Sequence, residues 1–140
     1  MRAVIIGFSH MHVNEVALYI SDRADMELCA IAGVPSKAES IPPLRYTHDW
    51  NMANVRDNYC SVIYDDYKAM LDEIKPDIAF ILTENGQKPE VVEECARRGV
   101  NVCIEKPIAV SLEEAKKIAS EAREKLKTLC PALVQRAANS

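Results

Sequence analysis

The sequence has no run of about 18 consecutive apolar residues, the length a helix needs to cross a bilayer. Its first residues enter a strand-like segment without the charged start and apolar stretch of an export signal. Neither a membrane span nor secretion is expected, and the cytoplasm is the expected compartment. A basic cluster is also missing: 17 Lys and Arg lie scattered against 21 Asp and Glu, for a formal charge of −4. Nothing here would neutralise the phosphates of a duplex, which excludes nucleic acid as the expected partner. The five cysteines, at positions 29, 60, 95, 103 and 130, include no Cys-x-x-Cys pair. They read as buried reduced thiols rather than a disulfide framework, with Cys60 and Cys130 the candidates for reactivity. Histidine is scarce. His10 and His12 are two residues apart in a loop rather than one helical turn apart, and His48 is the only other one, so no metal site is expected. The run Gly7-Phe8-Ser9-His10 lacks the second glycine of a nucleophile elbow, and no Ser-His-Asp order supports a hydrolase. Neither internal repeats nor low-complexity segments occur.

What is present starts at Val4-Ile5-Ile6-Gly7-Phe8-Ser9-His10-Met11-His12, a short apolar strand running through a glycine into a polar loop. Val13, Val16, Ala17 and Ile20 then recur at helical spacing. This is the first βα turn of a nucleotide-binding α/β fold, although glycine holds only the first place of G-x-G-x-x-G, with Ser9 and His12 in the other two. Glu27 to Gly33 reads as a buried strand parallel to the first. Residues 34 to 59, with Pro35, Pro42 and Pro43, read as an irregular excursion covering one edge of the sheet, holding a short helix over about 50 to 58 capped by Asp49.

Regularity returns with a strand at Ser61-Val62-Ile63 and a helix that starts behind Asp65-Asp66 and stops at Pro76. A strand at 77 to 82 leads into a polar loop from Thr83 to Lys88, and Pro89 opens a helix closed by Gly99. A further strand covers Asn101 to Ile104. Ser111-Leu112-Glu113-Glu114 then begins a helix through about 125, with Ala115, Ile118, Ala119 and Ala122 inward, and Ala132 to Gln135 could add a last strand. With 140 residues and 49% hydrophobic composition, the expectation is one α/β domain over 1–140, a doubly wound parallel sheet in three αβα layers. Ligands of such sheets sit beyond the strand C-termini at the switch point.

The run Asn101-Val102-Cys103-Ile104-Glu105-Lys106-Pro107-Ile108-Ala109, followed by Ser111-Leu112-Glu113-Glu114-Ala115, closely resembles the E-K-P region of the glucose-fructose oxidoreductase/inositol dehydrogenase (Gfo/Idh/MocA) family. Tyr64-Asp65-Asp66-Tyr67 with Met70-Leu71, and the strand after Pro76-Asp77 ending at Thr83, also look like that family's Rossmann domain. The resemblance covers about residues 2 to 125 and implies an NAD- or NADP-binding domain of a sugar or polyol oxidoreductase. It implies Lys106 as the catalytic residue that holds or relays the proton of the oxidised hydroxyl, with Glu105 beside the cofactor ribose or orienting the lysine. Carried over residue by residue, the cofactor-binding set is Gly7, Phe8, Ser9, His10, Met11, His12, Gly33, Ser36, Lys37, Thr83, Asn85, Glu105 and Lys106.

The sequence departs from the family in places that bear on chemistry. Phe8 and His10 add bulk where a pyrophosphate would approach. Gly33 stands where an NAD-specific protein carries an acidic residue for the ribose, while Ser36 and Lys37 could receive a 2′-phosphate. Thr83-Glu84-Asn85-Gly86-Gln87-Lys88 replaces the family's T-P-x-x-x-H, keeping Thr83 and Asn85 but neither the proline nor the histidine. The family's C-terminal substrate domain is not among these 140 residues, so catalysis is expected to be incomplete without it, and a separate chain that supplies it is an expected partner. The alternative is a non-catalytic nucleotide- or small-ligand-binding scaffold, or a dimerising domain forming a homo-oligomer.

Overall fold

The apolar strands carry residues buried on alternate sides, and that alternation builds two cores. The computed structural model describes residues 1–35 and 44–125. Its parallel strands are β1 (Arg2–Ile6), β2 (Glu27–Ala32), β3 (Ile63–Tyr64), β4 (Ile78–Ile81) and β5 (Asn101–Ile104), in the spatial order β3-β2-β1-β4-β5. Val4, Ile6, Ala79 and Ile81 face one side, where helices α3 (Tyr67–Ile74), α4 (Lys88–Arg97) and α5 (Leu112–Lys125) pack through Met70, Leu71, Val91, Val92, Cys95 and Ile118. Ala3, Ile5, Ile31 and Phe80 face the other, under α1 (Val13–Ser21) and α2 (His48–Asn58), which contribute Val13, Ala17, Ile20 and Val55. Helices on both faces of an all-parallel sheet are the Rossmann-like αβα arrangement expected from the sequence.

Local chemistry explains the boundaries. Asp66 has extended backbone at the N-cap of α3, and its carboxylate accepts the Lys68 amide at 2.9 Å. Replacing it by alanine leaves that amide unpaired, and urea denaturation of Asp66→Ala should show a loss of about 1 kcal/mol. Pro89 sits in the first turn of α4, and Gly99 takes φ +68° just past its end. Ser111 Oγ accepts the Glu114 amide at 3.2 Å, but Glu114 reaches back to the Val110 amide, one residue before the reciprocal partner of a capping box. Along α5, Ile118 is buried and Ala115 half-buried, whereas Ala119 is exposed rather than inward.

In the excursion after β2, the described residues from Leu44 onward include a helix. That helix begins at His48 with Thr47, not Asp49, at the N-cap; the Thr47 hydroxyl makes no cap bond and donates to the Leu44 carbonyl at 2.7 Å. The fully buried Asn51 donates through Nδ2 to the Phe8 carbonyl at 3.0 Å and accepts from Asn14 Nδ2 at 2.9 Å. α2 is thereby tied to α1 and to the loop after β1. Cys60 and Cys95 are buried thiols whose pKa burial pushes up, to about 12 for Cys95, the direction of inert rather than reactive sulfur. Cys130 and the expected strand over 132 to 135 lie outside the described residues. No described helix is long and apolar enough to cross a membrane.

Candidate functional site

The chain leaves β1 towards β2 and β3 on one side and later crosses to β4 and β5 on the other, so the switch point lies beyond the C-terminal ends of β1 and β4. The loops after β1, β4 and β5 meet there. Gly7 turns the first at φ +89°, and its amide donates to the Ala32 carbonyl at 2.9 Å. The Ser9 amide donates to the Leu82 carbonyl at 3.0 Å, stitching the loop to both neighbouring strands. A Cβ on Gly7 would come within 2.6 Å of Thr83 Cγ2 and 2.7 Å of the Thr83 amide nitrogen.

That turn decides the fate of the next side chains. Positive φ at Gly7 breaks the alternation of β1, and Phe8 falls on the face of Ala3 and Ile5, fully buried among them. Contrary to the reading from sequence, Phe8 takes no space in front of α1. His12 is the N-cap of α1, with no side-chain cap bond. The amides of Val13 and Asn14 close on the carbonyls of His10 and Met11, and the His12 amide donates to His10 Nδ1 at 3.2 Å. The amides of His10 and Met11 find no acceptor among the described residues. They remain as donors in the loop just before the positive end of the helix.

Side chains from far apart in sequence converge on this loop. His12 Nδ1 lies 3.1 Å from Glu105 Oε2 at the end of β5, and the rings of His10 and His12 stand 4.3 Å apart between centroids. Burial raises the pKa of the Glu105 carboxyl, but the His12 hydrogen bond, the charges of His10 and His12 and the Lys106 amide outweigh it and hold the group below the ordinary glutamate range. Lys106 is exposed, and its amide donates to Glu105 Oε1 at 3.1 Å. Thr83 is buried with Oγ1 unpartnered. Gly33 ends β2 away from this cluster, where His48 and Met52 of α2 would lie 3.5 Å from a Cβ placed on it. His48 Nε2 is itself buried without a hydrogen-bond partner. Met11 is exposed. Ser36 and Lys37 lie outside the described residues.

One residue absent from the expected set holds the site together. Lys88 occupies the place of the family's histidine, and in the fold it is 1% exposed. Its ammonium donates to the Glu105 carbonyl at 2.6 Å, the Pro107 carbonyl at 2.6 Å and Asn85 Oδ1 at 3.0 Å, so Asn85 supports Lys88. Burial pulls its pKa down, opposed by the charge of Glu105. The segment that carries Lys106 between those two carbonyls is therefore pinned from beneath, across a cis Lys106–Pro107 bond. The available signal was a basic residue where the resemblance calls for a histidine. Its burial was invisible in sequence, because a lysine at a helix start is ordinarily solvated. Asn51 was missed for the same reason.

Comparison with known proteins agrees with the fold. Residues 1–133 match the family model described as oxidoreductase family, NAD-binding Rossmann fold. No curated protein matches the sequence. Among solved structures, the chain is similar to the WlbA dehydrogenase of Bordetella pertussis in complex with NADH and UDP-GlcNAcA, at 19% identity and TM-score 0.71, over 89% of this chain and 34% of that one. It is similar to the Synechocystis biliverdin reductase in complex with biliverdin and NADP+, at 22% identity and TM-score 0.69, over 91% and 36%. The myo-inositol 2-dehydrogenase of Lactobacillus plantarum follows at 23% identity and TM-score 0.64, over 89% and 33%. The chain thus spans about a third of the length of these proteins, and the likeness to them is one of fold.

Proposed function

The chain belongs to the Gfo/Idh/MocA oxidoreductase family and forms its NAD(P)-binding Rossmann domain, and from that premise we propose that the crevice between the β1 and β4 loops seats the dinucleotide with its pyrophosphate over the start of α1. The observation that carries this reading is that the amides of His10 and Met11, at the fourth and fifth places of the glycine motif, find no acceptor among the described residues in the loop leading into α1, whose start favours anions. The inward turn of Phe8 fits the same ligand. At the adenosine end no carboxylate extends from Gly33, so the choice between NAD and NADP passes to His48 and to Ser36 and Lys37.

When bound, the dinucleotide supplies or accepts a hydride. The chain's part is to hold a proton at Lys106 Nζ, next to the hydroxyl of a sugar or polyol, while Glu105 fixes the Lys106 amide. The exposure of Lys106 and the greater length of the similar proteins support substrate contacts from outside this domain, on a further domain, a separate chain or a second copy. Calorimetric titration with NAD, NADH, NADP and NADPH tests the reading. At least one should bind in the micromolar range, and failure of all four at millimolar concentration would leave the non-catalytic scaffold as the better account.

A further inference from the structure

His10, His12 and Glu105 form a cluster of side chains beside the proposed dinucleotide crevice, whose seat for the pyrophosphate uses backbone amides. Each offers one ligating atom, and the three atoms lie within 4.8 Å of one another. The set exists only in the fold, since 93 residues separate His12 from Glu105. An ion pair between Glu105 and His12 would need one imidazole; here a second, tilted 55° to the first, is brought against it. The geometry points to a binding site for one divalent first-row transition ion, held by two imidazoles and a carboxylate.

The chemistry suits such an ion. Imidazole and carboxylate are ligands for Zn²⁺, Co²⁺ and Ni²⁺, and calcium or magnesium would favour an all-oxygen set. Ligand bonds of about 2.0 to 2.2 Å place tetrahedral ligands roughly 3.4 Å from one another. The His12–Glu105 pair, at 3.1 Å, is already at that spacing. Drawing in the third ligand takes a shift of up to about 1.4 Å, available to the half-buried His10 on its loop. If His10 coordinates through Nδ1, it exchanges the 3.2 Å bond from the His12 amide for the metal. Three protein ligands leave one position open to water or another donor, the pattern of a metal site that exchanges ligands. Glu105, only 14% exposed at its side chain, supplies the negative charge that a dication compensates. The requirement for Glu105 also explains why the histidine spacing alone signals no site.

The test uses the full chain and the metal alone, so it does not depend on whether a dinucleotide binds. Titration with Co²⁺ under reducing conditions should give one equivalent bound with a visible d–d absorption band, and Zn²⁺ should displace it. His12→Ala and Glu105→Gln should each weaken binding by about tenfold or more, with circular dichroism showing the fold intact. His48→Ala should leave binding unchanged. The proposal is overturned if no Co²⁺ binds at millimolar concentration, if the two folded variants bind as tightly as the parent, or if the only signal is the ultraviolet charge-transfer band of cysteine thiolate.

Discussion

Gly7→Ala should destabilise the domain by about 3 to 5 kcal/mol, a large part of the stability of a chain this size. Two costs combine. An alanine at φ +89° carries the left-handed backbone penalty, and its Cβ would stand 2.6 to 2.8 Å from Thr83 Cγ2, N and Cα. A flexible side-chain end could move aside, but two of these three atoms are backbone. Thr83 follows directly on Leu82, whose amide donates to the Ile6 carbonyl at 2.9 Å. Yielding at Thr83 therefore means parting the ends of β1 and β4, the central pair of the sheet. Urea denaturation gives the measurement, and complete loss of soluble protein would be the extreme form of the same result. Gly86→Ala is the matched control: nothing stands within 4 Å of its Cβ position, and the change there should stay below about 1 kcal/mol. Similar losses at both positions would show that the close approach of Gly7 to Thr83 is not what demands glycine.

The second large effect belongs to Lys88. Lys88→Met keeps the length and apolar stem of the side chain but removes the donor shared by the Glu105 and Pro107 carbonyls and Asn85 Oδ1. Unfolding free energy should fall by about 1 to 3 kcal/mol, the scale for stranding part-buried acceptors. The Glu105–Pro107 segment should also gain hydrogen exchange out of proportion to the sheet, and the affinity for whichever dinucleotide binds should drop by roughly tenfold. Lys88→Arg should not restore the parent, because a planar guanidinium cannot take the place of a compact ammonium at a position 1% exposed. If the stability loss appeared without a local rise in exchange at Glu105–Pro107, Lys88 would be a core residue rather than the support of the Lys106 loop.

Much of the fold was legible because it depends on patterns that repeat locally. The β5 segment Asn101–Ile104 was readable to the residue: an apolar run is bounded by Gly99 before it and the E-K-P motif after it. The start of α3 was equally plain, since Asp66 has the chemistry of an N-cap. The region around α2 was harder. Its helix has little apolar periodicity to announce it, and the residue that anchors it, Asn51, is polar and looks solvated until Phe8 and Asn14 are brought alongside. In the site, resemblance could nominate Gly7, Glu105 and Lys106 from short motifs. It misjudged Phe8, whose direction depends on one dihedral angle at Gly7.

By itself, then, the sequence determined the order and kind of the elements, the parallel αβα sheet and the position of the E-K-P segment after β5, because hydrophobic period, capping residues and turn residues act over a few positions of the chain. Only the tertiary structure decided that Phe8 points into the core, that Lys88 is buried beneath the Lys106 loop, and that Glu105 meets His10 and His12. Those outcomes depend on which strand ends lie side by side. β1 pairs with β4, and β4 with β5, so residues some ninety positions apart become neighbours with no trace in local spacing.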